Sequence, residues 1–292
     1  MTGTHYNHPV PRPVDIVIDF LREQQSRGIT HVDLDEPARD FLNQLSRRKT
    51  SVAAPPPAAA PRLPVAAKAD AAEVIAPPPA IVTSQGATKA ERLADLRRQL
   101  LDFPRTRGLT QMRDTLVFSQ GNPDARLVFV GESPSHHDEQ QGHPFAGAIG
   151  ERFDLILKAM NLSRSEVYLT HLVKFRPASK NQSTNNRAPT IAELAAFIPA
   201  LAHEMEIVSP QVIISLGSFP STALCASSAS LESLREQWHE WNGIALRCSD
   251  APSFLLTASL SKKRKFWEDM LAAMEKLTLP ISEKQRGFFL SK

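Results

Sequence analysis

Residues 127–147 read LVFVGESPSHHDEQQGHPFAG, an apolar run followed by a loop with three histidines, three acids and a Pro-Phe pair. Carboxylates and imidazoles transfer protons and bind metal ions, so the loop is a candidate for either chemistry. His136 and His137 are adjacent, and in an extended loop their side chains point apart, which disfavours a shared ion. No CxxC or HExxH spacing supports a metal. We therefore favour an active-site loop and expect no metal ion, with a solvated polar turn as the alternative.

Several residues of the loop suit a ligand-binding site. Gly131 allows a sharp turn at the end of the predicted strand and places Glu132 at the edge of the sheet. Pro134 stiffens the loop. Phe145 lies between proline and a small residue, as expected of an aromatic ring that grips a flat ligand. The alternative is that Phe145 is a core residue that covers the sheet edge.

The apolar pattern after residue 89 predicts the elements that carry this loop. Short apolar strands alternate with helices, which is typical of a parallel sheet covered on both faces. We predict a three-layer α/β/α fold with a central, mostly parallel sheet, and a ligand site at the carboxyl ends of its strands. The predicted helices are AERLADLRRQLL and residues 148–159, 191–207, 218–226 and 262–277, and the predicted strands are RLVFVG, VYLTHLVKF, QVIISLG, IALRC and SFLLTA.

Composition divides the chain into four parts. Residues 1–49 hold two short amphipathic helical patterns that bury too little surface to be stable alone, so we expect them to dock on an unidentified protein partner. Residues 50–88 are rich in proline and alanine and are predicted to be a linker. Residues 89–280 form the predicted globular domain, and residues 281–292 a tail.

The bulk composition limits the class of protein. No apolar run reaches membrane-spanning length and the N-terminal residues lack the pattern of a secretory signal, so we expect a soluble, cytoplasmic monomer. Cys225 and Cys248 are the two cysteines and do not form a CxxC pair, which argues against a disulfide framework and against a cysteine-ligated metal. The net charge of +3 permits a nucleic-acid partner without requiring one.

The segment GESPSHHDEQQGHPFAGAIG resembles the first signature of the iron–sulfur, or family 4, uracil-DNA glycosylases, roughly GEAPGxxEDxxGxPFVGxAG. The resemblance covers residues 96–274 and implies the fold of the uracil-DNA glycosylase superfamily. It also implies an enzyme of DNA base-excision repair, which flips a nucleotide out of the duplex and hydrolyses its N-glycosidic bond. Further segments that match in the same order are VYLTHLVKFRP, NNRAPTIAEL, SPQVIISLG and KRKFWEDM.

The resemblance assigns roles to individual residues. Glu132 would activate water or stabilise the positively charged sugar, assisted by Asp138 or Glu139. The residues that would bind the base are Phe145 as the stacking platform, His171 and Asn186.

Basic residues in two segments favour contact with DNA. SKKRK is predicted to lie at the start of the last helix, where cations oppose the helix dipole and a bound phosphate relieves that cost. A solvated basic surface is the alternative. Ser135 replaces a glycine of the family, and its hydroxyl either restricts the approach of DNA or adds a contact. The residues expected to bind DNA are Ser135, Arg187, Lys262 and Lys263, with charge added by Arg176 and Lys180.

The chain departs from the family at its cofactor. The four cysteines that bind the [4Fe–4S] cluster in the family correspond here to Pro104, Arg107, Phe175 and Phe197. We expect no cofactor, and we expect Phe175 and Phe197 to pack together in that volume.

Two further departures bear on activity. His171 replaces the asparagine with which the family reads uracil, and an imidazole offers one donor and one acceptor in a different geometry. The HP-containing loop before the last helix is missing, which removes a donor to the leaving base. We therefore predict a glycosylase with altered or weak activity on uracil or another damaged base. A catalytically inactive DNA-binding or adaptor protein is the alternative, and a binder of free nucleobases is a third hypothesis.

Overall fold

The computed structural model describes residues 83–180, 182–256 and 258–290. The two predicted N-terminal helical patterns and most of the predicted linker lie outside the described residues. No helix in the described part of the chain is long and apolar enough to cross a membrane.

Polar caps define where the long helices begin. Thr88 and Thr190 each accept a hydrogen bond from the backbone N–H three residues on, and a glutamate at that position bonds back in a capping box. Ser259 accepts from the Lys262 N–H in the same way. The helices are α1 (Lys89–Leu100), α2 (Phe103–Thr106), α3 (His136–Gln141), α4 (Gly147–Ala159), α5 (Ile191–Val208), α6 (Ser218–Leu224), α7 (Leu231–Leu234), α8 (Leu260–Lys276) and α9 (Glu283–Arg286).

The strands form one six-stranded sheet in the order β2–β4–β3–β6–β8–β7 and a separate pair of β1 with β5. Within the large sheet, neighbours among β4, β3, β6 and β8 are parallel, while β2 and β7 are antiparallel strands at the two edges. The strands are β1 (Met112–Leu116), β2 (Ser119–Gly121), β3 (Leu127–Gly131), β4 (Tyr168–His171), β5 (Phe175–Pro177), β6 (Val212–Leu216), β7 (Trp238–Trp241) and β8 (Ile244–Ser249).

Helices cover both faces of the sheet. In β3, Val128 and Val130 pack with α1 and α5 on one face, whereas Leu127 and Phe129 pack with α4 and α8 on the other. Successive side chains of a strand point to opposite faces, so a strand that is apolar at every position must be buried on both. The predicted three-layer α/β/α fold with a mostly parallel sheet is confirmed.

The predicted strand SFLLTA is wrong. Residues Pro252–Leu256 form a 3-10 helix that follows β8. β8 is already paired with β6 on one side and β7 on the other, so a further strand has no place beside it. Pro252 also suits the first turn of a helix, because its fixed φ is helical and its missing N–H is not needed there.

The end of the chain packs against α8. The Trp267 indole N–H donates to the Gln285 carbonyl at 2.7 Å, and the Gln285 amide donates to the Ala159 carbonyl at 2.8 Å. The ring centroid of Phe288 lies 5.4 Å from that of Trp267. These contacts attach α9 to the face of the sheet covered by α4 and α8.

Candidate active site

The carboxyl ends of β3 and β4 lie side by side and carry the predicted site. Gly131 and His171 are register partners in the parallel pair. Glu132 follows Gly131 directly, is half-buried, and accepts a hydrogen bond at its carbonyl from the Val173 N–H at 3.0 Å. The structure therefore brings the predicted carboxylate and the predicted base reader to one edge of the sheet.

Gly131 allows a close approach that no larger residue would permit. A Cβ atom at this position would clash with His171 Nδ1 and would lie 3.0 Å from Phe145 Cζ. The imidazole and the phenyl ring thus pack directly over the backbone at the end of β3. The absence of a side chain at Gly131 is what lets these two rings meet beside Glu132.

Phe145 is held in an unusual backbone conformation. Its φ is 53°, in the left-handed region that costs most residues about 1 kcal/mol or more. The Arg164 guanidinium donates to the Phe145 carbonyl at 2.6 Å. A Cβ at Gly150 would clash with that same carbonyl oxygen. Strain of this kind persists where the surroundings fix it, and it is concentrated at ligand sites.

Aromatic contacts surround the Phe145 ring. It stacks on Phe153 with centroids 5.0 Å apart and 21° between the planes. His171 lies on it at 4.9 Å with a tilt of 48°. Phe145 is only 5% exposed, so it is part of the core under the loop as well as a candidate platform for a base.

Asp138 organises the loop from inside. Its carboxylate accepts from the Ser135 N–H at 2.7 Å and from the Ala146 N–H at 2.6 Å, while the Ser135 hydroxyl accepts from the Asp138 N–H in a capping box. Burial by itself raises the pKa of Asp138. His171 and these two backbone N–H groups lower it by a larger amount, so the pKa lies below its ordinary value. Ser135 is thus the N-cap of α3, and its predicted contact with DNA stays a prediction.

His171 has unused hydrogen-bonding capacity. The residue is 4% exposed, and its Nε2 lies 3.4 Å from Asp138 Oδ2, which is too long for a well-formed hydrogen bond. Neither ring nitrogen has a hydrogen-bond partner among the described residues. A buried polar group without a partner is costly, and a ligand that supplies one removes that cost.

The depressed pKa of Asp138 predicts how stability depends on pH. Relative to Asp138→Asn, the wild-type chain should be more stable by about 1–3 kcal/mol at pH 6, because the amide cannot accept both backbone bonds. The folded pKa lies below the unfolded value of 3.8, so this advantage should be full above pH 3.8 and fall away as the pH drops through the folded pKa. Urea denaturation between pH 6 and pH 3 measures it. Exposed Asp114→Asn is the control, and an advantage that stays constant down to pH 3 contradicts the prediction.

Arg176 was expected to add charge to a DNA-facing surface, and the structure shows that expectation to be wrong. The residue is 1% exposed. Its guanidinium donates to Glu139 at 2.9 Å, to Asn186 Oδ1 at 3.0 Å and to the carbonyls of Ser183 and Asn185. A buried guanidinium needs an acceptor for each donor, and α3 and the loop before α5 supply them. Asn186 is exposed and accepts a hydrogen bond from Arg176, which in turn binds Glu139 of α3. The predicted contact of Asn186 with a base stays a prediction.

Arg187 is engaged within the chain. It makes a bidentate pair with Glu193 at 2.6 and 2.8 Å and donates to the carbonyls of Gln111 and Ala178. Its side chain is 22% exposed. The guanidinium therefore fixes the start of α5 to the loop before β1, and DNA binding by Arg187 stays a prediction.

The basic segment lies in the first turn of α8. This helix begins at Leu260, two residues earlier than predicted, with Ser259 as its cap. Lys262 is exposed, with its ammonium 5.1 Å from the centre of the Phe254 ring, and Lys263 is half-buried. Both remain predicted DNA contacts.

The residues at the positions of the family's cluster ligands do not fit an iron–sulfur cluster. Pro104, Arg107, Phe175 and Phe197 offer no thiolate. Phe175 and Phe197 are fully buried with ring centroids 6.1 Å apart, as predicted, and Phe103 lies 4.7 Å from Phe197. Packed aromatic side chains hold α2, β5 and α5 together where the family has metal ligands.

Sequence reasoning missed Arg164 and Gly150, which support the backbone of Phe145. Arg164 donates to carbonyls of the turn and also to Asp154 at 2.6 Å. A basic residue in a polar segment before a strand carries no signal of this role. The contact becomes visible only when the turn is placed beside that segment.

The sequence of this chain is similar to those of known uracil-DNA glycosylases. The model of the Uracil DNA glycosylase superfamily matches residues 118–274. The chain is 34% identical over 158 residues to the Type-4 uracil-DNA glycosylase of Thermotoga maritima, an alignment that covers 52% of this chain and 78% of the relative. The corresponding enzyme of Saccharolobus solfataricus is 31% identical over 157 residues, covering 52% and 70%. That of Archaeoglobus fulgidus is 35% identical over 129 residues, covering 44% and 61%.

The matched region runs from the start of β2 to the last turns of α8 and contains Glu132, Phe145 and His171. It spans more than half of the 292 residues. The resemblance that the motifs predicted is confirmed: the chain belongs to the uracil-DNA glycosylase superfamily.

Proposed function

We propose that this protein is a DNA glycosylase of base-excision repair, which hydrolyses the N-glycosidic bond of uracil or another damaged base with altered or weak activity. One observation supports this most directly: Glu132, Phe145 and His171 lie together at the carboxyl ends of β3 and β4. The relatives are named uracil-DNA glycosylases, which supports DNA as the substrate.

In the proposed reaction the bond between C1′ of the sugar and the base nitrogen breaks, and its electron pair leaves with the base. Glu132 activates the water that attacks C1′ or stabilises the positive charge that develops on the sugar. Phe153 stacks on Phe145 and His171 also contacts the ring, so a flipped base meets Phe145 at its small exposed part beside His171. The imidazole then gains the hydrogen-bond partner that it lacks among the described residues.

Asp138 acts in this proposal as a positioning residue. Asp138 is 4% exposed and both of its oxygens accept backbone N–H groups, so its carboxylate is fixed inside the loop. Its Oδ2 lies 3.4 Å from His171 Nε2, so the negative charge of Asp138 faces the imidazole instead. Glu132 is left as the carboxylate for the reaction, which refines the prediction that both acids are catalytic.

Weak or altered activity is supported by the segment before α8. The 3-10 helix ends at Leu256 and α8 begins at Leu260, which leaves no room for the HP-containing loop of the family. Removing one donor to a developing anion costs about a hundredfold or more in rate. An imidazole at position 171 in place of a carboxamide also changes which base edge is complementary to the pocket.

A single-turnover assay tests the proposal. Oligonucleotides with one uracil, single- and double-stranded, are incubated with excess full-length protein and then treated with alkali to cleave abasic sites. We expect strand cleavage at the uracil and none in a matched thymine oligonucleotide. The proposed contacts of Lys262 and Lys263 with phosphate predict that binding weakens as salt rises.

The same experiment separates the alternatives. DNA that is bound in a salt-dependent way, without abasic product at enzyme excess, contradicts the catalytic proposal and favours the adaptor. Absence of both product and binding contradicts DNA as the partner.

A further inference from the structure

Two cysteines and a histidine meet where the end of α6 lies beside β7 and β8. Cys225 follows the last residue of α6, His239 lies in β7, and Cys248 lies in β8. One ligand atom from each lies within 4.8 Å of the other two, and no other such group of three occurs among residues 83–180, 182–256 and 258–290. The cysteines are 23 residues apart, so their spacing does not predict the cluster.

The spacing of the two sulfurs fits a metal ion. Cys225 Sγ and Cys248 Sγ are 3.5 Å apart. With Zn–S bonds of about 2.3 Å, two sulfurs 3.5 Å apart subtend about 100° at the ion, close to the tetrahedral angle. Two thiolates with one imidazole are ligands that zinc prefers.

Neighbouring polar groups orient the proposed ligands. The ring nitrogen Nε2 of His239 lies 2.7 Å from the Leu234 carbonyl oxygen, to which it donates, so Nδ1 carries the lone pair that a metal requires. The Ser215 and Ser221 hydroxyls are 2.8 Å apart, and Ser215 is the register partner of Cys248 in the adjacent strand. Polar groups around the ligands of a metal hold those ligands in place.

The position of the cluster allows an ion to enter. Cys248 is fully buried, whereas Cys225 and His239 are half-buried, so the group opens to solvent on one side. Two thiolates carry the charge that a divalent cation neutralises. Three protein ligands leave a fourth position for water.

We propose that Cys225, His239 and Cys248 bind one Zn²⁺ ion, which connects the end of α6 to the edge strands β7 and β8. This inference is independent of the proposed glycosylase activity, because none of the three residues has a role in the proposed reaction. It also replaces the expectation that the two cysteines ligate no metal.

Zinc titration of the reduced, chelator-treated full-length protein tests the site. Native mass spectrometry should show one zinc per chain. Competition with a chromophoric chelator should give the affinity of the protein for zinc. Cys225→Ser and Cys248→Ser should abolish binding, and His239→Ala should weaken it at least about tenfold. His143→Ala and Ser227→Ala are matched controls that should bind as the wild type does. Cobalt(II) should give the thiolate charge-transfer absorption of a tetrahedral site in the wild type and in the two control variants, but not in Cys225→Ser or Cys248→Ser.

A thermal-melting measurement guards against variants that fail to fold. Added zinc should raise the melting temperature of the wild type and of His143→Ala, and should leave that of Cys225→Ser unchanged. The proposal is overturned if reduced wild-type protein binds no zinc, or if Cys225→Ser binds it equally well. A mass two hydrogens lower after aerobic oxidation, together with no zinc binding by the reduced form, assigns the pair to a disulfide instead.

Discussion

Replacing Glu132 with glutamine is expected to slow single-turnover release of the base by about a hundredfold or more, because a positioned acid–base group contributes 10²–10⁴ in rate. The amide keeps the size of the side chain and loses the charge that activates water or stabilises the sugar. DNA affinity should change little, since the group acts mainly in the transition state.

The control for this experiment is Glu151→Gln, an exposed glutamate in the first turns of α4. It should cleave uracil DNA as fast as the wild type. Equal rates for Glu132→Gln and the wild type would show that another group carries the reaction and would remove the main support for the catalytic proposal. A slow Glu151→Gln variant would instead indicate a general effect on the fold.

Replacing Glu204 with glutamine is expected to lower the free energy of unfolding by about 3–5 kcal/mol, the cost of leaving a buried charge without its partner. Glu204 and Lys174 are both fully buried, with Oε2 and Nζ 2.5 Å apart. Glu204 also accepts from the hydroxyls of Tyr168 at 2.8 Å and Thr170 at 3.0 Å. Burial lowers the pKa of Lys174, and the Glu204 carboxylate opposes that shift. The network joins β4 and the segment after it to α5.

Urea denaturation of single and double variants measures this effect. Glu206→Gln, two residues away on the same helix with a side chain 69% exposed, should be neutral. The double variant Glu204→Gln with Lys174→Met removes both charges and should lose less stability than Glu204→Gln alone. Additive losses in the double variant would mean that the two residues do not act as a pair.

The sequence by itself determined the fold class and the position of the site. Apolar runs such as LVFVG are buried on both faces, and only a sheet covered by two helical layers can bury them. Because parallel strands end at one edge, the ends of β3 and β4 predicted that Glu132 and His171 would lie together. The motifs around Phe145 predicted the superfamily, and that prediction is confirmed.

Other features depended on contacts between distant segments. SFLLTA has the composition of a strand, but β6 and β7 already occupy both sides of β8. Arg176 looked like a surface charge, yet the loop before α5 surrounds it with acceptors.

Only the tertiary structure decided which polar groups lack partners and which ligands meet. It placed His171 over Gly131 with neither ring nitrogen hydrogen-bonded within the described chain, and it brought Cys225, His239 and Cys248 within reach of one ion. Residue types and their short-range spacing predict helices, strands and turns, because these elements depend mainly on neighbouring residues. Coordination and hydrogen bonding depend on distances of a few ångström between segments that the chain separates, and these exist only after the sheet has formed.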